Sequence, residues 1–294
     1  MANISASMVK DLRDRTGAGM MDCKNALKET DGDMEKAVDY LREKGLSKAA
    51  KKASRVAADG LVDTYIDEAN KIAVCLEVNC ETDFVADTAD YRALVKSIAE
   101  HIAKNKPANV EELGKQAFGT TGKTVNEMIT ESIATIGEKI SIRRFSIFEY
   151  GNDVIASYIH GGGKIGVLVE LVGGDAALGK DIAMQVAAAN PPYLDETQVP
   201  ADVVEHEKTV LSEQAKMEGK PEKIIEKMVI GRIHKFYKEV CLVDQEFIKD
   251  PDKNIKGLLK EKNATIKRFV RFQLGEGIEK KQEDFAAEVQ SFMK

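Results

Sequence analysis

The chain has 294 residues, 43% hydrophobic and 31% charged, with no tryptophan and a formal net charge of −6. That length holds two or more domains with real cores, the composition is that of a helix-rich globular protein, and the acidic balance argues against a dedicated nucleic-acid binder. The longest apolar runs, such as 165–172, fall far short of the ~20 residues a membrane span needs. The opening stretch, MANISASMVKDLRDRTG, has neither an apolar signal core nor an Arg-rich transit pattern, so a cytoplasmic protein is expected. Cys23, Cys75, Cys80 and Cys241 show no CxxC pair or finger spacing and read as buried, reduced thiols.

Residues 1–45 carry three amphipathic patterns: Met8/Leu12, then Met20/Met21/Ala26/Leu27, then Met34/Val38/Leu41 with Gly45 as the stop. They predict a compact three-helix bundle. From Arg42 to Arg55 six basic residues face one acid, Glu43, and the alanines there favour a linking helix.

A repeat organises the middle of the chain. YIDEANKIAVCLEV (65–78) aligns without a gap on YIHGGGKIGVLVEL (158–171), identical at six of fourteen positions. Both read as strand, tight turn, strand. Ile98, Ala99 and Pro107 then match Ile182, Ala183 and Pro191 at an offset nine residues shorter, so the first copy holds nine extra residues, and these contain Thr82-Asp83-Phe84-Val85. IRRFSIFEYG (142–151) resembles IKRFVRFQLG (266–275) at five of ten positions and closes each copy. The expected class is α+β, with two related lobes of antiparallel sheet backed by helix. Residues 200–240 predict a projecting helical hairpin broken at Gly219-Lys220-Pro221, its inner stripe being Val203, Val204, Val210, Leu211, Ile224, Ile225, Met228 and Ile233. The tail predicts one more amphipathic helix, showing Phe285, Val289 and Phe292.

Fragments that imitate catalytic motifs fail on physical requirements. AFGTTGKT (117–124) has Ala117 where a phosphate loop needs its first glycine, and Thr124 with Glu127 reads instead as a helix capping box. HEKTV (206–210) places Val210 at the second zinc-ligand position, and HGGGK (160–164) has no GxSxG elbow to serve. His101, His160, His206 and His234 have no evident acid or nucleophile partner, so no catalytic residue, metal site or cofactor is expected. Contact surfaces remain. Phe84 stands in an acidic connection, either exposed for a partner or folded back on its own lobe; His160 reads as a turn residue, and the Met20-Met21 pair suits a core or a contact.

LRDRTGAGMMDCKNAL, AADG, LEVNCETDFVA, SYIHGGGKIGVLVEL and EKMVIGRIHKF together resemble the bacterial translation elongation factor Ts family, over essentially the whole chain. The resemblance implies an N-terminal ubiquitin-associated-like bundle with basic linker (1–55), a first core lobe (56–151), a second core lobe (152–275) that includes a coiled-coil-like hairpin (200–240), and a C-terminal helical module (276–294). It also implies a guanine-nucleotide exchange factor that binds the GTPase elongation factor Tu and speeds GDP release, with no covalent step. In that family the matching Thr82, Asp83, Phe84 and Val85 dislodge the partner's magnesium ion. The resemblance further implies that His160 reaches toward the partner's phosphate-binding loop and that Arg13, Met20 and Met21, matching family residues with that role, grip one of its helices. A homodimer through the hairpin or a sheet edge is a further expectation.

Two rivals stand beside this reading. One is a ubiquitin-associated-like adaptor without exchange activity, which has no use for the Phe84 insert. The other is RNA binding by the basic stretch, which lacks interleaved aromatics for stacking.

Overall fold

The structure, a computed structural model, describes residues 4–279 apart from 121 and 220. The tail helix expected around Phe285, Val289 and Phe292 lies outside the described residues. Ser5 caps α1 (Ala6–Thr16) by accepting the Met8 N–H at 3.2 Å, and Gly17 ends it in the left-handed region. α2 (Met20–Glu29) and α3 (Met34–Lys52) complete three helices around Leu12, Cys23, Ala26, Leu27 and Ala37, all sealed from solvent.

Gly45 does not stop the third helix. α3 runs through it to Lys52 and absorbs the expected linking helix. The glycine serves closeness: it is buried, and a Cβ there would stand 3.3 Å from the Ala134 Cβ of the neighbouring helix.

The chain then forms β1 (Asp59–Asp67), β2 (Ile72–Cys80), the single-turn α4 (Asp83–Ala86), α5 (Ala89–Asn105), α6 (Val110–Lys115), α7 (Val125–Ile136) and β3 (Ser141–Glu149). The second half gives β4 (Val154–His160), β5 (Ile165–Gly173), α8 (Ala176–Ala189), α9 (Ala201–Met217), α10 (Glu222–Val240), β6 (Glu246–Phe247), β7 (Asp250–Asn254), α11 (Ile255–Glu261) and β8 (Ala264–Gln273). The class is α+β with small antiparallel sheets, ordered β1-β2-β3 and β4-β5-β8, plus the two-stranded β6-β7. The β6-β7 pair and α11 have no counterpart in the sequence reading, because DPDKN carries no alternating apolar pattern.

The repeat extends to register. Asp67 faces Ile72 across the first hairpin as His160 faces Ile165 across the second, and the pairing slips after Glu77 in β2 and after Glu170 in β5. Helices α5 and α8 each end on a left-handed residue, Lys106 at φ 46° and Asn190 at φ 47°, just before Pro107 and Pro191.

One face of each sheet is covered by its own helices, and the other faces meet. Val62, Ala73, Cys75, Phe148, Tyr150, Leu168 and Phe272 form the layer between them. At its edge the fully buried Glu77 binds Arg143 at 2.9 Å and Arg144 at 2.6 Å, while the equally buried Glu170 binds Lys267 at 2.8 Å and Arg268 at 2.5 Å. Each of two arginines then crosses to the opposite half. Arg144 donates to the Gln273 carbonyl at 3.0 Å and lies over Phe272, and Arg268 donates to the Glu149 carbonyl at 3.0 Å and lies over Phe148. Such reciprocity is the mark of a local two-fold axis.

The α9–α10 pair corrects the predicted inner stripe. Ala215, Ile225 and Ile233 are buried, whereas Val210 and Ile224 are exposed. Two helices share a single narrow seam, so apolar positions off that seam have nothing to cover them. Among the described residues no helix is long and apolar enough to cross a membrane.

Candidate functional site

The nine-residue insert forms a short ledge. Thr82 caps α4 by accepting the Val85 N–H at 3.3 Å, and the helix turns Ala86 inward, packs Val85 against the core of the first half, and leaves Phe84 84% exposed. Asp83 is exposed beside it. The ring does not fold back on its own half. Beneath the ledge the Cys80 thiol donates to the Thr82 carbonyl at 3.1 Å, and burial pushes its pKa up to about 12, so it stays a neutral packing group.

Glu138 holds the ledge from below. Its carboxylate accepts the N–H groups of Glu81 at 3.1 Å and Thr82 at 3.0 Å, and the Thr82 hydroxyl at 2.7 Å. The reverse bond runs from the Lys139 N–H to the Glu81 carboxylate at 2.6 Å. Arg55 reaches the same Glu81 carboxylate at 3.1 Å.

The His160 turn is seated against β1 of the first half. The Val62 N–H donates to the Gly163 carbonyl at 2.7 Å, and the Leu274 N–H to the Lys164 carbonyl at 2.8 Å. Gly163 sits at φ 113°, and a Cβ there would lie 2.5 Å from the Leu61 side chain, which is why only glycine fits. His160 is exposed, its Nδ1 3.2 Å from the Tyr158 hydroxyl. Arg92 joins turn to ledge: it binds Asp87 at 2.8 Å, just past α4, and approaches the Gly162 carbonyl at 3.5 Å. Insert and turn, 78 residues apart from Thr82 to His160, therefore share one side of the molecule.

Arg13, Met20 and Met21 lie elsewhere, on the corner of the helical bundle where α1 gives way to α2. All three are exposed, Met20 at 49% and Met21 at 66%, so the methionine pair is not core. The structure does not bring them into the Phe84 cluster. The bundle is tied to the first half through α3 on α7, an Arg42–Glu127 ion pair, and a Lys52 hydrogen bond to the Gly137 carbonyl.

Much of the basic stretch is engaged within the chain. Lys48 and Lys44 lie 2.8 Å and 3.8 Å from Asp22, and the Lys48 hydrogen bond leads the causes that hold this carboxyl below its ordinary pKa, Lys44 adding to it against the opposing effect of burial. Among the described residues no group of three His, Cys, Asp or Glu side chains is set to hold a metal ion. The segment around Ala117 closes as a turn, with the Phe118 N–H on the Lys123 carbonyl at 2.7 Å, and Thr124 and Glu127 form the expected capping box. His101 is buried beside Gln116, and burial lowers its pKa.

A scan against protein-family models matches residues 81–276 to the family Elongation factor TS, about two thirds of the chain. The chain belongs to the elongation factor Ts family. That family works in translation elongation, and the matched span opens on Glu81, the residue that leads into the ledge. Glu138 and Arg92, the residues that brace the ledge of this elongation factor Ts family member, were not singled out by the sequence. Each is a charged side chain whose partners lie elsewhere in the chain or in the turn of the other half, and nothing in local spacing connects it to them.

Proposed function

We propose that the chain is a cytoplasmic guanine-nucleotide exchange factor for elongation factor Tu, binding the GDP-bound GTPase and promoting GDP release without any covalent step or cofactor of its own. The observation that carries this reading is Phe84, 84% exposed on a braced single-turn helix that the sister half lacks. A large apolar side chain held out in water from a fixed support is suited to entering a partner. In this reading Phe84, with Thr82, Asp83 and Val85, presses beside the partner's magnesium site and displaces the ion. His160 approaches the phosphate-binding loop from the adjoining turn. Arg13, Met20 and Met21 hold a helix of the GTPase from the bundle, which acts as a ubiquitin-associated-like module on a two-lobed core. The C-terminal module and a homodimer through the exposed apolar side chains of the α9–α10 hairpin, such as Met217 and Ile230, belong to the same proposal.

Magnitudes require a broad footprint. A GTPase that holds nucleotide at nanomolar affinity has about 12 kcal/mol of binding free energy, whereas burying one phenylalanine contributes about 1.5–3 kcal/mol. The separated clusters must together favour a partner conformation whose magnesium and phosphate ligands are misplaced. Coupling is reciprocal, so incoming nucleotide then expels the factor.

Stopped-flow release of fluorescent GDP from elongation factor Tu tests this. Phe84→Ala is expected to lower the acceleration about tenfold or more, matching the lost burial, with circular dichroism unchanged. Release as fast as with the unmodified chain would overturn the proposal. Capture of ubiquitin in place of elongation factor Tu would favour the adaptor.

A further inference from the structure

We infer that Glu138 is a positioning residue for exchange, holding the Phe84 ledge in the orientation that reaches the partner; this rests on the exchange reading above. A single turn of helix is not stable alone, because nucleation fixes several residues for one hydrogen bond. α4 has four residues, so its direction must come from outside. Packing of Ala86 and Val85 anchors its C-terminal side, and Glu138 fixes its start from the link between α7 and β3, where its carboxylate gathers three donors from two consecutive residues, Glu81 and Thr82. An ionised carboxylate is acceptor-only, and charge-assisted bonds of this kind are roughly twice as strong as neutral ones.

The clamp also orients the cap. With its proton donated to Glu138 at 2.7 Å, the Thr82 hydroxyl turns a lone pair toward the Val85 N–H at 3.3 Å. The chain of bonds thus runs from Glu138 through Thr82 to the first turn of α4, and Phe84 lies on that turn. The base of the clamp is fixed in turn, since the Lys139 ammonium donates to the carbonyls of Ala53 and Arg55, both at 2.8 Å. A ring set in place beforehand delivers its contact without a further ordering cost at the moment of binding.

The test compares Glu138→Gln and Phe84→Ala with the unmodified chain, titrating each against elongation factor Tu loaded with fluorescent GDP. Glutamine keeps the shape, but with its amide oxygen on the Glu81 and Thr82 N–H groups its NH2 meets the Thr82 hydroxyl, which must then accept instead of donate, so the charge-assisted bond that orients the cap is lost. Glu138→Gln is expected to reduce the maximal rate at saturating factor about tenfold while the half-saturating concentration moves less than about twofold, as for a group that acts on the exchange step rather than on docking. A loss confined to the half-saturating concentration, or no loss while Phe84→Ala is impaired, overturns the positioning role. No loss in either variant overturns the exchange reading itself. Hydrogen exchange in the unmodified chain needs no variant: the amides of residues 81 and 82 are expected to be protected, and exchange at free-chain rates overturns the clamp.

Discussion

Glu77 illustrates how one side chain carries structural weight in this molecule. Burial alone would raise its pKa, yet the Gly275 N–H at 2.8 Å, Arg143 and Arg144 outweigh that and hold it below its ordinary value of 4.5. The folded state therefore keeps the anion more firmly than the unfolded chain does. Its contribution to stability is present above the ordinary carboxylate pKa and is lost as pH falls through the lower, folded value. Glu77→Gln is expected to cost about 2 kcal/mol at neutral pH in denaturant titrations, and to flatten the loss of stability on acidification below pH ~4.5. An unchanged acid limb would show that other carboxylates govern it. Gly163 makes a complementary point, since its backbone conformation and the Leu61 side chain both exclude a larger residue at the seat of the His160 turn.

Among elements, the strand pairs were the easiest to read and the helix ends the hardest. Alternating β-branched residues with a polar turn specify a hairpin almost locally, so the aligned segments at 65–78 and 158–171 transferred directly to matching registers. Gly45 misled because glycine signals both a helix stop and a close helix crossing, and only the tertiary neighbour Ala134 distinguishes them. Phe84 was legible as an anomaly, an aromatic in an acidic connection, but its bracing by Glu138 was not. The two are linked only by folding. The Gly45 contact gives its own test: Gly45→Leu should force α3 away from α7 and cost about 1–3 kcal/mol, read as a lower melting temperature with helix content retained. Full stability would mean the crossing is looser than the geometry indicates.

For the molecule as a whole, the paired sheets matter most. Leu168 and Cys75 are sealed only because the other half covers them, and the crossing arginines tie each sheet to its sister. Residues 56–275 are therefore expected to unfold in one cooperative transition, with coincident denaturant curves for probes placed in either half. Two separated transitions would show that the halves are independent. The bundle, joined to the first half chiefly through α3 and α7, is free to differ from that transition.

The dyad between the halves has an evolutionary and geometric consequence. If single halves associated as identical subunits, any segment added after the second strand would be displayed twice, on opposite sides of the axis, and only one could address a given target. Fusion into one polypeptide removes that obligation. One half is then free to acquire a tool on its side of the axis while the other keeps the plain connection from β5 to α8 and devotes its own extra length to a pair of long helices.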